Sequence, residues 1–217
     1  LAAMLLLYWL DGGKDDKVKY FPARYVKDLP EVRSYLRDIA RPVFLSQRPI
    51  PGGTMGGVLP RIRGTIKSVL PAGPYAMHLE GNVETPLSVK FKAAMGMKIE
   101  PRQLDALYAL HGFTLRSEVV VTVNQATGSR RYIARFDRWI CKTKDYYHWN
   151  PNKYITVPNP DCGSKDPNAI APEENELTVY HSNAIRVEKA GLAHAFSNES
   201  EPWQETDQSI IGPATIG

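Results

Sequence analysis

Apolar positions along the chain change their period once. The first ten residues, LAAMLLLYWL, are all apolar and end at Asp11–Gly12–Gly13, which predicts a buried helix stopped by Gly12. In LPEVRSYLRDIARPV, Val32, Tyr35, Leu36, Ile39 and Ala40 recur at helical spacing, and Pro42 is expected to end the pattern. PIPGGTMGGVLP follows, with four glycines and three prolines in twelve residues, and reads as a loop. It divides an N-terminal helical part, 1–50, from a β-rich domain, 51–217, that carries a short inserted helix and a C-terminal helix.

Beyond that loop the period shortens to two. RIRGTIKSV, YAMHLEGNV and LSVKFKA each alternate apolar with polar side chains, as half-buried strands of an antiparallel sheet do. NVETP is expected to turn between the second and third. PRQLDALYALHG is the inserted helix, with Pro101 in its first turn, Leu104, Leu107 and Tyr108 on its buried stripe, and His111–Gly112 at its end. EVVVTVN, the turn QATGS and RRYIARFDRWICKTKDYYHW form the strongest hairpin signal. Residues 150–172, rich in proline and asparagine, predict an ordered loop without regular structure. A closing helix ends near Gly191, and the tail after Trp203 is expected to be loosely held. Helices first and then five or more antiparallel strands predict an α+β fold, with a sheet that curls into an open β-barrel.

Composition narrows the function only slightly. The formal net charge is +4, but the basic residues are scattered rather than massed, so no nucleic-acid partner is expected. Ten apolar residues cannot cross a bilayer, which needs roughly 20, and they lack the basic leading segment of a signal peptide. A start at Leu1 rather than Met suggests a fragment or a processed product. Cys141 and Cys162 are the two cysteines. Their spacing is not that of a zinc site. They are either two separate buried thiols or a disulfide, which would stabilise the loop between them by ~3 kcal/mol.

The stretch DYYHW at the end of the long strand concentrates the candidate chemistry. Alternation places Asp145, Tyr147 and Trp149 on one side of the strand, and Tyr146 and His148 on the other. A carboxylate at a polar mouth serves as a base or as a ligand for a divalent ion, so Asp145 is also the candidate metal ligand. His148 is the candidate acid or base, and Tyr147 completes the catalytic set. Lys153, with Tyr147, would steady phosphate oxygens, while Trp149 and Tyr154 are candidate substrate contacts. Two non-catalytic readings compete. One is an aromatic platform of Tyr146, Tyr147, Trp149 and Tyr154 that binds a glycan or peptide. The other is a membrane-disrupting toxin acting through residues 1–10. His111 is read as a helix cap, and His181 and His194 are too far apart for a metal pair.

The segments LLLYWLDGG, HLEGNVETPL, DYYHWNPNK, EKAGLAHAF and SEPW, in their helix–loop–sheet order, resemble small antibacterial toxins and effectors encoded near type VI secretion loci of Gram-negative bacteria. That resemblance implies secretion, action in the periplasm of a target cell on a cell-envelope substrate, a cognate immunity protein and a secretion carrier. A fainter similarity links the chain to the colicin M group, whose open β-barrel domain cuts the lipid-linked peptidoglycan precursor at its pyrophosphate with magnesium. It implies phosphoester hydrolysis with Mg2+. That group's signature is D-x-Y-D followed by H-R. Asp145 and Tyr147 match its first and third places, His148 stands at the second acid, and NPNKYI follows without an H-R pair.

Overall fold

The computed structural model describes residues 1–11, 18–45, 74–125, 131–159, 161–171 and 173–216. The loop expected at 49–60 and the strand expected at 61–69 lie outside them. The chain is α+β, as its pattern predicts. Helix α1 (Ala2–Leu10) buries Leu5 and Trp9. Strand β1 (Lys19–Phe21) and a 3-10 turn (Ala23–Tyr25) follow. A continuous helical run then passes through α2 (Pro30–Ser34), a π-helical turn (Tyr35–Ala40) and α3 (Arg41–Leu45).

Pro42 therefore does not end this helix. In the π turn the Arg41 N–H reaches back five residues to the Leu36 carbonyl. The wider turn sits just before the position that offers no N–H, and the helix continues past it.

Strands β2 (Tyr75–Glu84), β3 (Gly112–Gln125) and β4 (Tyr132–Tyr147) form an antiparallel meander. Between β2 and β3 lie α4 (Leu87–Ala94) and α5 (Pro101–Leu110). LSVKFKA is thus helix, not strand: Val89 alone of its alternating apolar set is deeply buried, while Leu87 and Phe91 are exposed. Strand β2 runs on through Val83 and Glu84, so NVETP is not a tight turn.

The other long side of β4 is covered piecemeal. Strand β7 (Phe196–Ser200) pairs with residues 144–147, β8 (Trp203–Gln204) with 140–141, and β9 (Ala214–Ile216) with 132–134. The resulting seven-stranded sheet has the order β1-β7-β4-β3-β2 on its main path. It is not closed into a barrel, contrary to expectation, and the β1–β7 pair is parallel. The C-terminal tail is built in rather than loose: α7 (Gln208–Ile211) buries Ile210, and β9 hydrogen-bonds to β4. Residues 150–172 also hold regular structure, because β5 (Tyr154–Pro158) pairs with β6 (Glu176–Tyr180) as a separate two-stranded sheet. Helix α6 (His181–Lys189) is the expected closing helix, and Gly191 follows it with φ +73°.

One core joins these parts. Leu5, Trp9, Val32, Leu36 and Phe44 from the helices pack with Leu115, Val121, Ala134 and Trp139 from the inner face of the sheet. Cys141 belongs to that core and is a free thiol, as is the exposed Cys162, so neither the disulfide nor a pair of buried thiols is found.

Candidate functional site

The end of β4 carries its side chains alternately inward and outward until the strand stops at Tyr147. Asp145 and Tyr147 are half-buried on the inner side, while Tyr146 and His148 are exposed and stack on each other with ring centroids 5.5 Å apart. Beyond the strand, Trp149 turns back into the protein and meets Trp9, Tyr147 and His181 edge-on.

Three helices complete a cavity of about 270 Å³ over this strand end. Ala2, Ala3 and Leu6 come from α1, Tyr108, Ala109 and Leu110 from the last turn of α5, and His181 from the first turn of α6. Helix α1 is held against α5 by a hydrogen bond from the Ala2 N–H to the Asp105 carboxylate, 2.9 Å. It is held to α6 by Trp9, whose indole N–H donates to Glu188 at 2.7 Å. His111 is indeed the cap of α5, with φ 53°. Its carbonyl accepts from the Thr85 hydroxyl at 2.7 Å, and its ring joins the cavity wall.

The walls are mostly apolar, and this governs the titratable groups. Burial pushes the Asp145 carboxyl up to about 6, against smaller opposing influences of the Tyr146 backbone N–H, the neighbouring His148 and Asn198. Asn198 is fully buried opposite Asp145 in the β4–β7 register, and among the described residues its amide makes no hydrogen bond of standard geometry. Burial likewise lowers the pKa of His111, helped by Lys153 and His181, and that of His181, helped by Lys153. Tyr147 is pushed up to about 12 by burial, so its phenol stays protonated; it packs in parallel on Phe196, centroids 5.1 Å apart.

Two imidazoles have defined proton positions. The Asn150 N–H donates to Nδ1 of His181 at 3.2 Å, so neutral His181 carries its proton on Nε2, a buried nitrogen with no partner among the described residues. Nδ1 of His148 lies 2.8 Å from the Tyr146 carbonyl and must be the donor, which leaves Nε2 for chemistry.

Of the residues singled out from sequence, Asp145, Tyr147, His148 and Trp149 share this cavity. Lys153 and Tyr154 do not line it. Lys153 is exposed and acts on His111 and His181 electrostatically, and its carbonyl accepts the His181 N–H at 3.0 Å. Tyr154 is exposed on the β5–β6 hairpin, opposite Tyr180. The four aromatics proposed as a platform divide accordingly: Tyr146 and Tyr154 face solvent, while Tyr147 and Trp149 pack inward. His111 and His181 come from distant parts of the chain, and the sequence holds no spacing that links them to Asp145. The magnesium expectation finds a poor donor set. Among the described residues Asp145 is the one carboxylate lining the cavity, and no three His, Cys, Asp or Glu side chains converge to hold a metal ion. Comparison with family models, curated proteins and solved structures gives no match.

Proposed function

We propose that the cavity beneath α1 is the catalytic centre of a hydrolase that splits an ester or phosphoester of a cell-envelope molecule, and that the protein is an antibacterial effector delivered to the periplasm. The observation that carries the catalytic reading is Asp145: a carboxylate raised to about 6, lining an apolar cavity beside His148. A base near neutral pKa combines the ionised form at working pH with real proton affinity. A buried, perturbed carboxylate in a cleft is also a physical marker of a functional site.

The chemistry follows from those two groups. Ionised Asp145 takes a proton from water as the water oxygen bonds to the central atom of the ester. The bond to the leaving oxygen breaks, and His148, in its imidazolium form, returns a proton to that oxygen through Nε2. Tyr147 and Trp149 hold the strand end in place by packing. The apolar side chains of Leu6, Ala109 and Leu110 suit a substrate with a hydrocarbon portion next to the reacting bond. The effector assignment and its immunity and carrier partners rest on the sequence resemblance alone.

Expression in a Gram-negative host, with and without an export signal, tests the reading. Growth arrest with the signal only, abolished by Asp145→Asn at equal protein level, is the expected result. An Asp145→Asn protein as toxic as the parent would remove Asp145 from the mechanism. Toxicity without export would move the target out of the envelope.

A further inference from the structure

Helix α4 presents an apolar stripe to solvent. Leu87, Phe91 and Met95 stand at i, i+4 and i+8, with 82%, 62% and 62% of their surfaces exposed, and Met97 follows at 53%. Only the opposite side of the helix is anchored, through Val89, which is 6% exposed. Isolated exposed apolar residues are ordinary on protein surfaces, but four large ones gathered on one short segment mark an interaction face.

The charges around the stripe identify what it fits. From Thr85 to Ile99 the sequence contains Lys90, Lys92 and Lys98 and no acidic residue. Lys90 and Lys92 flank the stripe on either side of the helix, given 100° per residue. Lys90 contacts Glu84 loosely at 3.7 Å, whereas Lys92 and Lys98 are exposed and, among the described residues, make no ion pair. Lysines beside a face of leucine, phenylalanine and methionine form the pattern of a helix that lies in a membrane interface, with apolar tips among the acyl chains and ammonium groups at anionic headgroups. A second protein copy would set these lysines against each other; an anionic bilayer complements them.

We propose that α4, with the turn to Met97, is an interfacial anchor that docks this protein on the surface of an anionic bilayer. The docking is peripheral: no helix among the described residues is long and apolar enough to cross a membrane. Helix α5 packs between this anchor and α1, so the anchor and the cavity wall are joined through one helix. The anchor stands apart from the chemistry at Asp145, and each can fail without the other.

Co-sedimentation with vesicles tests it, using phosphatidylcholine alone and phosphatidylcholine with phosphatidylglycerol. Binding is expected to the mixed vesicles and to weaken as salt rises. Leu87→Ser with Phe91→Ser should reduce it at least about tenfold, and Lys92→Glu with Lys98→Glu by about the same factor. All four side chains are exposed, so circular dichroism and melting should match the parent. Asp145→Asn should bind as the parent does. Failure to bind mixed vesicles, or binding indifferent to both double variants, overturns the anchor. A concentration-dependent dimer in sedimentation, abolished by the Leu87/Phe91 pair of substitutions, would also overturn it, by showing that the stripe serves a second copy.

Discussion

Arg33 in α2 reaches across 172 residues of sequence to the carboxylate of Glu205, 2.5 Å away, and its other arm grips Asp207. Glu205 is 3% exposed, and its second oxygen accepts the backbone N–H groups of Thr206 and Asp207. This clasp holds the C-terminal segment, with α7 and β9, against the helical layer.

Glu205→Ala leaves Asp207 as the remaining carboxylate on the Arg33 guanidinium and takes the acceptor from two backbone donors. Losing a charged hydrogen bond to a partly exposed arginine, with two backbone donors left unsatisfied, is expected to cost ~1–3 kcal/mol. Amides of β9 should also exchange faster with solvent. Asp207 is more exposed, and Asp207→Ala should have the smaller effect of the two. Chemical denaturation and hydrogen exchange measure both; equal losses for the two variants would contradict this division.

The two thiols should be kinetically distinct. Cys162 is exposed, and its thiol donates to the Asn175 side chain. Cys141 is fully buried and held up to about 12 by that burial. Alkylation at pH 8 should label one thiol at once and the second only under unfolding conditions. Rapid labelling of both would show that the strand holding Cys141 opens readily.

The hairpin β3–β4 and helix α5 were legible in the sequence because each carries one unambiguous period together with its own stop signal. Residues 87–93 were not. Leu87, Val89, Phe91 and Ala93 satisfy a period of two, but Lys90, Lys92 and the alanines favour helix. Of the face that alternation marked as buried, Leu87 and Phe91 meet solvent and Val89 alone is deeply buried. Val89→Ala should therefore cost ~1–3 kcal/mol, while Phe91→Ser should stay within ~0.5 kcal/mol of the parent. A strand would give similar losses at both positions.

The candidate site was half visible for a related reason. Asp145, Tyr147, His148 and Trp149 adjoin in sequence, and strand alternation placed Asp145 and Tyr147 on their correct side. His111 and His181 enter the cavity from a helix end and a helix start, and only the tertiary fold brings them there. Nothing about a lone histidine before a glycine distinguishes a cap from a cap that also faces a cavity.

Gly81 in β2 has a packing role that side-chain pattern does not reveal. A Cβ built there would lie 1.9 Å from the Tyr35 hydroxyl oxygen and 2.7 Å from the ring carbon bearing it. Tyr35, in the π turn, is buried against this bare stretch of backbone. Gly81→Ala should displace the ring and destabilise the fold by ~1–3 kcal/mol. Combining it with Tyr35→Leu should lose less than the sum of the single changes, because both act on one contact. Strict additivity in a double-mutant cycle would rule out the contact.

Asp145 should make the protein less stable as pH rises. Its folded pKa, about 6, lies above that of an unfolded aspartate near 3.9. Between those values the folded state binds more protons than the unfolded, so stability from this group is full below pH ~4 and falls until pH ~6. The loss is at most ~3 kcal/mol, the equivalent of about two pKa units. His111 and His181, with lowered pKa values, act in the opposite sense and lose stability as pH falls below ~6.5. The difference between parent and Asp145→Asn isolates the carboxylate, since the histidines are common to both. Asparagine has no charge to bury, so the variant should gain on the parent steadily from pH 4 to 6 and then hold its advantage. Its activity should fall by ~10² to 10⁴, the contribution of a general base. Melting curves at several pH values, read beside the toxicity assay, measure both effects. A variant that is both less stable at pH 7 and inactive would mean that Asp145 serves the fold, and that its loss acts through unfolding.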